Sequence, residues 1–330
     1  MVKKQSRPIL FFILALFSVA IGSAACTTDK INTDLEVSHI HMAKAHLVTS
    51  DGMKLPLRKW SPQREPEAII LALHGFNDYS NAFSKPAEHW TKEGFLVYAY
   101  DQRGFGATSD AGMWPETSVL VQDLLATVAL LKEIHPKVPL YLLGESMGGA
   151  LLIAASHRLP AEIISGFILV APAVWARKTM PPMYVATLWL GTHVIPWLRL
   201  SGKGLKIQAS DNRQMLLELG QDLLVIKQTR IDTMYGLVNL MDSALRNTPN
   251  LATPTLLLYG ANDEIIPKHS TAEMLTAMNN SPRVVVYPKG YHMLLRDLQA
   301  DTVLRDITEW IRHPNNDPPS GHGNAWRTFF

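Results

Sequence analysis

The segment Gly144-Glu145-Ser146-Met147-Gly148 sets a serine between two glycines, each two positions away. A serine at the tip of a sharp strand-to-helix turn holds a strained backbone. Side chains two residues to either side would collide there, so glycine belongs at both places. Gly149 extends the clearance, and a helix start beneath the serine favours developing negative charge. A serine hydroxyl is a weak nucleophile at neutral pH; it needs an adjacent base, and the base needs an acid to orient it. The chemistry within reach of such a set is acyl transfer through an ester formed on Ser146.

For a serine in this setting the chain order is serine, acid, histidine. Downstream, the apolar run Thr255–Tyr259 is followed by Gly260-Ala261-Asn262-Asp263-Glu264, and Val284–Tyr287 by Gly290-Tyr291-His292. Asp263 is the candidate acid, with Glu264 its neighbouring rival, and His292 is the candidate base. Of the 12 histidines, His292 has the order and placement required. Asp222, Asp232 and Asp242 fall in a segment of different character and are expected to be solvated. A tetrahedral intermediate also needs two N–H donors. The backbone N–H of Met147 supplies one, and that of Phe76, in His74-Gly75-Phe76, the other. His74 is expected to brace its loop, and Asp101 and Arg103 to act as a loop-fixing pair.

The elements that must position these residues follow from hydrophobic patterning. Ala45–Thr49 and Met53–Trp60 flank Asp51-Gly52 and predict a β-hairpin. Short apolar runs at Ala68–Leu73, Phe95–Tyr100, Pro139–Leu143 and Phe167–Val170 then alternate with helical patterns at 82–93, 116–135 and 150–157. Strands alternating with helices predict a parallel sheet covered on both faces. The alternation breaks at Pro172. Residues 173–249 show helical stretches at Tyr184–Leu200, Arg213–Gly220 and Asp222–Leu245, and strands resume at Thr255–Tyr259 and Val284–Tyr287 among helices at 270–279 and 302–311. The expectation is an α/β core over 41–172 and 250–313, an inserted helical lid over 173–249, and a mobile tail over 314–330, whose Pro, Gly and Asn content suits it to disorder.

Together, His74-Gly75-Phe76, Asp101-Gln102-Arg103-Gly104-Phe105-Gly106, Gly144 to Gly149, Tyr259-Gly260-Ala261-Asn262-Asp263 and Gly290-Tyr291-His292 resemble the monoacylglycerol lipase and lysophospholipase group of α/β-hydrolases, the serine-aminopeptidase-like branch. Many relatives carry His before the nucleophile, where this chain has Glu145. The resemblance implies the α/β-hydrolase fold, a mostly parallel central sheet with helices on both faces and a helical lid over an acyl pocket. It also implies hydrolysis of a small-molecule acyl ester or lipid, a monoacylglycerol or lysophospholipid, through Ser146, Asp263 and His292. A short-chain carboxylesterase, an aminopeptidase, a transacylase or a haloperoxidase would use the same triad, and a non-catalytic lipid-binding envelope protein is the reading from a different class. The uncharged stretch Tyr184–Leu198 holds Leu188, Trp189, Leu190, Ile195 and Trp197. It could line a lipid tunnel, dip into a membrane or pack on the main domain.

The N-terminus has the pattern of an export signal. Lys3, Lys4 and Arg7 precede an uncharged run from Pro8 to Thr28, and Gly22-Ser23-Ala24-Ala25 leads to Cys26. Residues 1–26 resemble a bacterial lipoprotein signal with Cys26 as the lipid attachment site, although Ser23 stands where Leu is usual. The alternatives are an ordinary cleaved signal, giving a periplasmic or secreted protein, and an uncleaved anchor helix. Residues 27–40 read as a polar linker. With Cys26 the lone cysteine, neither a disulfide within the chain nor a multi-cysteine zinc site can form. A formal charge of +2 without a basic stripe argues against nucleic acid as a partner. His39, His41 and His46 lack acidic partners for a metal, and no phosphate loop or dinucleotide fingerprint calls for a cofactor.

Overall fold

The computed structural model describes residues 40–202, 204, 206–251, 254–323 and 326–330. The expected signal, most of the expected linker, Cys26 and His39 lie outside them. Among the described residues nine strands form one sheet in the order β1-β2-β3-β5-β4-β6-β7-β10-β11. The antiparallel edge is β1 (His41–Ala43), β2 (His46–Val48) and β3 (Lys54–Trp60). The hairpin between β2 and β3 turns at Gly52, whose φ of +80° is open to glycine without strain. The parallel part is β4 (Ala68–Leu73), β5 (Phe95–Tyr100), β6 (Leu140–Glu145), β7 (Gly166–Val170), β10 (Thr255–Gly260) and β11 (Arg283–Tyr287). β3 joins it antiparallel to β5.

The central strands are apolar throughout because both faces are covered. In β4, Ile69, Leu71 and Leu73 enter one core, while Ala68, Ile70 and Ala72 enter the other. The first core is closed by α2 (Thr117–Ile134), α3 (Met147–Ala155) and α6 (Ile231–Asn247), and the second by α1 (Ser84–Lys92) and α8 (Ala300–Arg312). Helix α7 (Lys268–Ala277) crosses between β10 and β11.

Between β7 and β10 the chain leaves the sheet to form α4 (Pro182–Val194), α5 (Arg213–Gln221) and α6, with a two-stranded ribbon of β8 (Arg199–Leu200) and β9 (Thr229–Arg230). The patterning extended the first insertion helix to Leu200; it stops at Val194 because Pro196 disfavours helical backbone at Ile195. Likewise α6 begins at Ile231 and not at Asp222. The backbone of 222–230 is committed elsewhere: Leu224 N donates to Asp222 Oδ1 at 2.9 Å and Ile226 N to Asn77 O at 2.9 Å.

The three insertion aspartates, expected to be solvated, are partnered. Asp222 accepts from Tyr79 Oη at 2.7 Å, Asp232 pairs with Arg230, and Asp242 pairs with Arg177. The tail also differs from expectation. It carries α9 (Trp326–Phe329), and the Phe330 ring lies 5.2 Å from that of Tyr259. Ser320 N donates to Asp306 Oδ1 at 2.9 Å. Its three aromatic residues near the terminus offer apolar area that composition by Pro, Gly and Asn conceals.

Candidate active site

Strand β6 runs through Glu145, and α3 starts at Met147, leaving Ser146 alone to make the turn. Ser146 has φ +52° and ψ −111°, a conformation that L residues avoid and that only surrounding structure can impose. Its backbone is held on both sides: Ser146 N donates to Val170 O at 2.9 Å, and Ser146 O accepts from Ala150 N and Ala173 N at 3.0 and 2.9 Å. The flanking glycines are required sterically. A Cβ on Gly148 would stand 2.1 Å from Leu73 O, and one on Gly144 2.4 Å from Gly149 N.

Asp263 and His292 come together at the ends of neighbouring strands β10 and β11. His292 Nδ1 lies 2.8 Å from Asp263 Oδ2, and the carboxylate side chain is wholly buried. The other oxygen, Asp263 Oδ1, accepts from Ile265 N at 2.8 Å and Ile266 N at 3.0 Å, so both oxygens are committed. Tyr259 Oη donates to Ile266 O at 2.6 Å and secures the same turn. The acid and histidine loops are bonded directly, with Asn262 N donating to Gly290 O at 2.9 Å. Glu264 points elsewhere; it is exposed and accepts from Gln208 N at 2.7 Å. Burial works against a charged His292 ring, but the carboxylates of Asp263 and Glu145 outweigh it and raise its pKa above the ordinary 6.5.

The loop after β4 carries Phe76. His74 Nε2 accepts from Gln102 N at 3.0 Å, so the ring proton sits on Nδ1, which donates to Gly75 O at 2.8 Å. Burial depresses the His74 pKa and keeps the ring neutral, as this bonding requires. In a trans peptide the C=O and the following N–H point in opposite directions. Fixing Gly75 O therefore aims the Phe76 N–H. Asn77 follows with φ +65°, a left-handed turn that asparagine tolerates. Met147 occupies the first turn of α3, where helical N–H groups have no partner within the helix. His74 thus braces its loop as expected. Asp101 and Arg103 also brace loops, but not as a pair. Asp101 accepts from Ser80 N at 3.0 Å and Ala107 N at 2.9 Å, whereas Arg103 binds Asp123 and Asp51.

One cluster escaped the sequence reading. Arg296 Nη2 lies 2.7 Å from Asp78 Oδ2 and 3.2 Å from Glu145 Oε2, and all three side chains are at most 10% exposed. No local pattern pointed to it, because Asp78, Glu145 and Arg296 stand far apart in the chain and meet only in the fold.

The sheet order, the strained serine between β6 and α3, and the buried acid–histidine pair define an α/β-hydrolase. The sequence model of the family described as serine aminopeptidase, S33, matches residues 64–299, more than half of the chain, and the chain belongs to that family. It is a serine hydrolase of lipase and esterase type. The monoglyceride lipase of Rattus norvegicus is 28% identical over 273 residues, covering 81% of this chain and 90% of the relative. The monoacylglycerol lipase of Mycolicibacterium smegmatis is 25% identical over 262 residues, covering 79% and 93%. A soluble variant of the monoglyceride lipase from Saccharomyces cerevisiae, solved with a substrate analogue, superposes with a TM-score of 0.69 at 20% identity, over 86% of this chain and 98% of that one.

Proposed function

We propose that this chain hydrolyses esters of a single long acyl chain, monoacylglycerols or lysophospholipids, at Ser146. The observation that carries this reading is the exposed apolar face of the insertion. No residue of α4 is buried, and Met183, Tyr184, Trp189, Leu190, Val194 and Trp197 are each more than half exposed. So large a patch suits an acyl chain or a lipid surface far better than water. The likeness to lipases named for monoacylglycerols supports it.

In this mechanism neutral His292 accepts the Ser146 proton as Oγ attacks the ester carbonyl. The N–H groups of Phe76 and Met147 stabilise the oxyanion. Imidazolium His292, held through Nδ1 by Asp263, protonates the departing alcohol. Water, deprotonated by the same ring, then releases the fatty acid and restores Ser146. The test is a series of p-nitrophenyl esters from acetate to palmitate, together with monoacylglycerol, on wild type and Ser146→Ala. Long-chain activity abolished in the variant is the expected result. A maximum at acetate would make the chain a short-chain esterase, and turnover that survives in Ser146→Ala would remove the nucleophile.

We also propose, on the leader alone, that the chain is exported to a bacterial cell envelope and held there by lipid on Cys26, with α4 meeting the membrane surface. Metabolic labelling with a fatty acid tests this; label retained in Cys26→Ser would refute it. Among the described residues no helix is long and apolar enough to cross a membrane.

A further inference from the structure

Three loops must hold their places for the proposed reaction: the turn with Ser146, the loop with Phe76 and the loop with His292. One guanidinium touches all three. Arg296 belongs to the histidine loop, Glu145 immediately precedes Ser146, and Asp78 lies two residues beyond Phe76. Arg296 is itself tied back to its loop, with Arg296 N donating to Met293 O at 2.8 Å. Resting on the hydrolase reading above, we infer that Arg296 is a positioning residue that locks the three loops together.

The geometry explains why a buried ionic group is kept here. Burying three charges is costly, and an apolar cluster of equal volume would serve folding as well or better. In this cluster a single nitrogen, Arg296 Nη2, meets a carboxylate from each of two other loops, a tie between separate chain segments that charge directs and apolar contact does not. Among the described residues Glu145 Oε1 is buried without a hydrogen-bond partner, and Arg296 and His292 are the groups that favour this carboxylate's charged form against burial.

The groups that face the cluster come from every side. Asp263 and Glu145 favour the charged His292 ring and Arg296 opposes it. Burial raises the Glu145 pKa, Arg296 lowers it and Asp78 raises it again. Neutral His74 lies close enough to sense Asp78, Asp101 and Arg296. Asp297, raised to about 6 by burial, is on the histidine loop and bonds Tyr291 N at 2.8 Å. Beyond Arg296, a cavity of 180 Å³ is lined by Lys85, Glu218 and Asp222. Because Asp297 titrates in the same range, the comparison has to be made between variants that leave it intact.

Glu145→Gln keeps the shape and the acceptor oxygen while deleting the charge. It loosens one of the two ties and should lower kcat moderately. Arg296→Met removes both ties and should lower kcat by about tenfold or more with KM little changed. Arg296→Lys, which can bring one ammonium to both carboxylates, should recover part of that loss, and melting curves verify folding. Wild-type kcat in folded Arg296→Met, or no recovery in folded Arg296→Lys, would overturn the positioning role. Should the wild type hydrolyse no ester, the hydrolase reading fails, while NMR shifts of His292 in Arg296→Met still decide whether Arg296 holds the histidine loop.

Discussion

Replacing Asp263 by asparagine tests the site most sharply, because the surrounding bonds dictate what the amide must do. In the wild type Oδ1 accepts two N–H donors, Ile265 and Ile266, and Oδ2 faces His292 Nδ1. The amide must leave its oxygen with the two donors, so its NH2 group faces His292. The ring then has to present an unprotonated Nδ1, which puts its proton on Nε2, the atom that should receive the Ser146 proton. Turning the amide over would restore the working tautomer but strand two backbone N–H groups, at about 1–3 kcal/mol each, or about 2–6 kcal/mol together. Loss of the carboxylate's attraction for imidazolium adds to this. A fall in kcat of about 10⁴-fold, about 5 kcal/mol of barrier, is the expected outcome. Single-turnover hydrolysis of a p-nitrophenyl ester measures it, with a melting curve to verify folding. Glu264→Gln, next door but exposed, should leave kcat unchanged. A folded Asp263→Asn protein with kcat within about tenfold of wild type would refute the reasoning.

The pH profile follows from the raised His292 pKa: activity needs the neutral ring, so kcat/KM should rise with pH and reach half its maximum above 6.5, and a midpoint below that would contradict the site's electrostatics. Gly148→Ala would press a Cβ against the backbone of β4, 2.1 Å from Leu73 O, and should cost about 1–3 kcal/mol or more, seen as a lower melting temperature. Gly220→Ala, with nothing within 4 Å, should show no such loss. Arg103→Met would leave Asp123, whose side chain is 7% exposed, without its cation. A destabilisation of about 3–5 kcal/mol is expected by denaturant titration, and Asp123→Asn in the same background should recover part of it.

The sheet was legible in the sequence to within a few residues per strand, except for the short edge strand β1, which the patterning did not show. Six apolar runs bounded by glycine or charge could be strands buried on both faces, and their alternation with helices called for a parallel sheet, although the order of the strands within it came from the structure. The nucleophile was legible for a local reason: the glycine spacing answers a steric need within five residues. Asp263 over Glu264 was less so, because the choice between adjacent carboxylates lies in which one turns toward β11 and which toward Gln208. Boundaries in the insertion were misread where tertiary bonds, such as Ile226 N to Asn77 O, compete for the backbone.

Local patterning determined the strands, the strained turn and the order of serine, acid and base, since each rests on periodicity or on sterics among neighbours. Only the tertiary structure decided that Arg296, Asp78 and Glu145 meet, that the tail's Phe330 packs on Tyr259, and that Asp222 of the insertion bonds Tyr79. Those contacts join residues as far apart in the chain as Asp78 and Arg296, the longest of the ionic ones at the site. Their strength comes from burial, which lowers the dielectric around a charge and removes competing water. Burial is a property of the assembled chain, and no short stretch of residues encodes it.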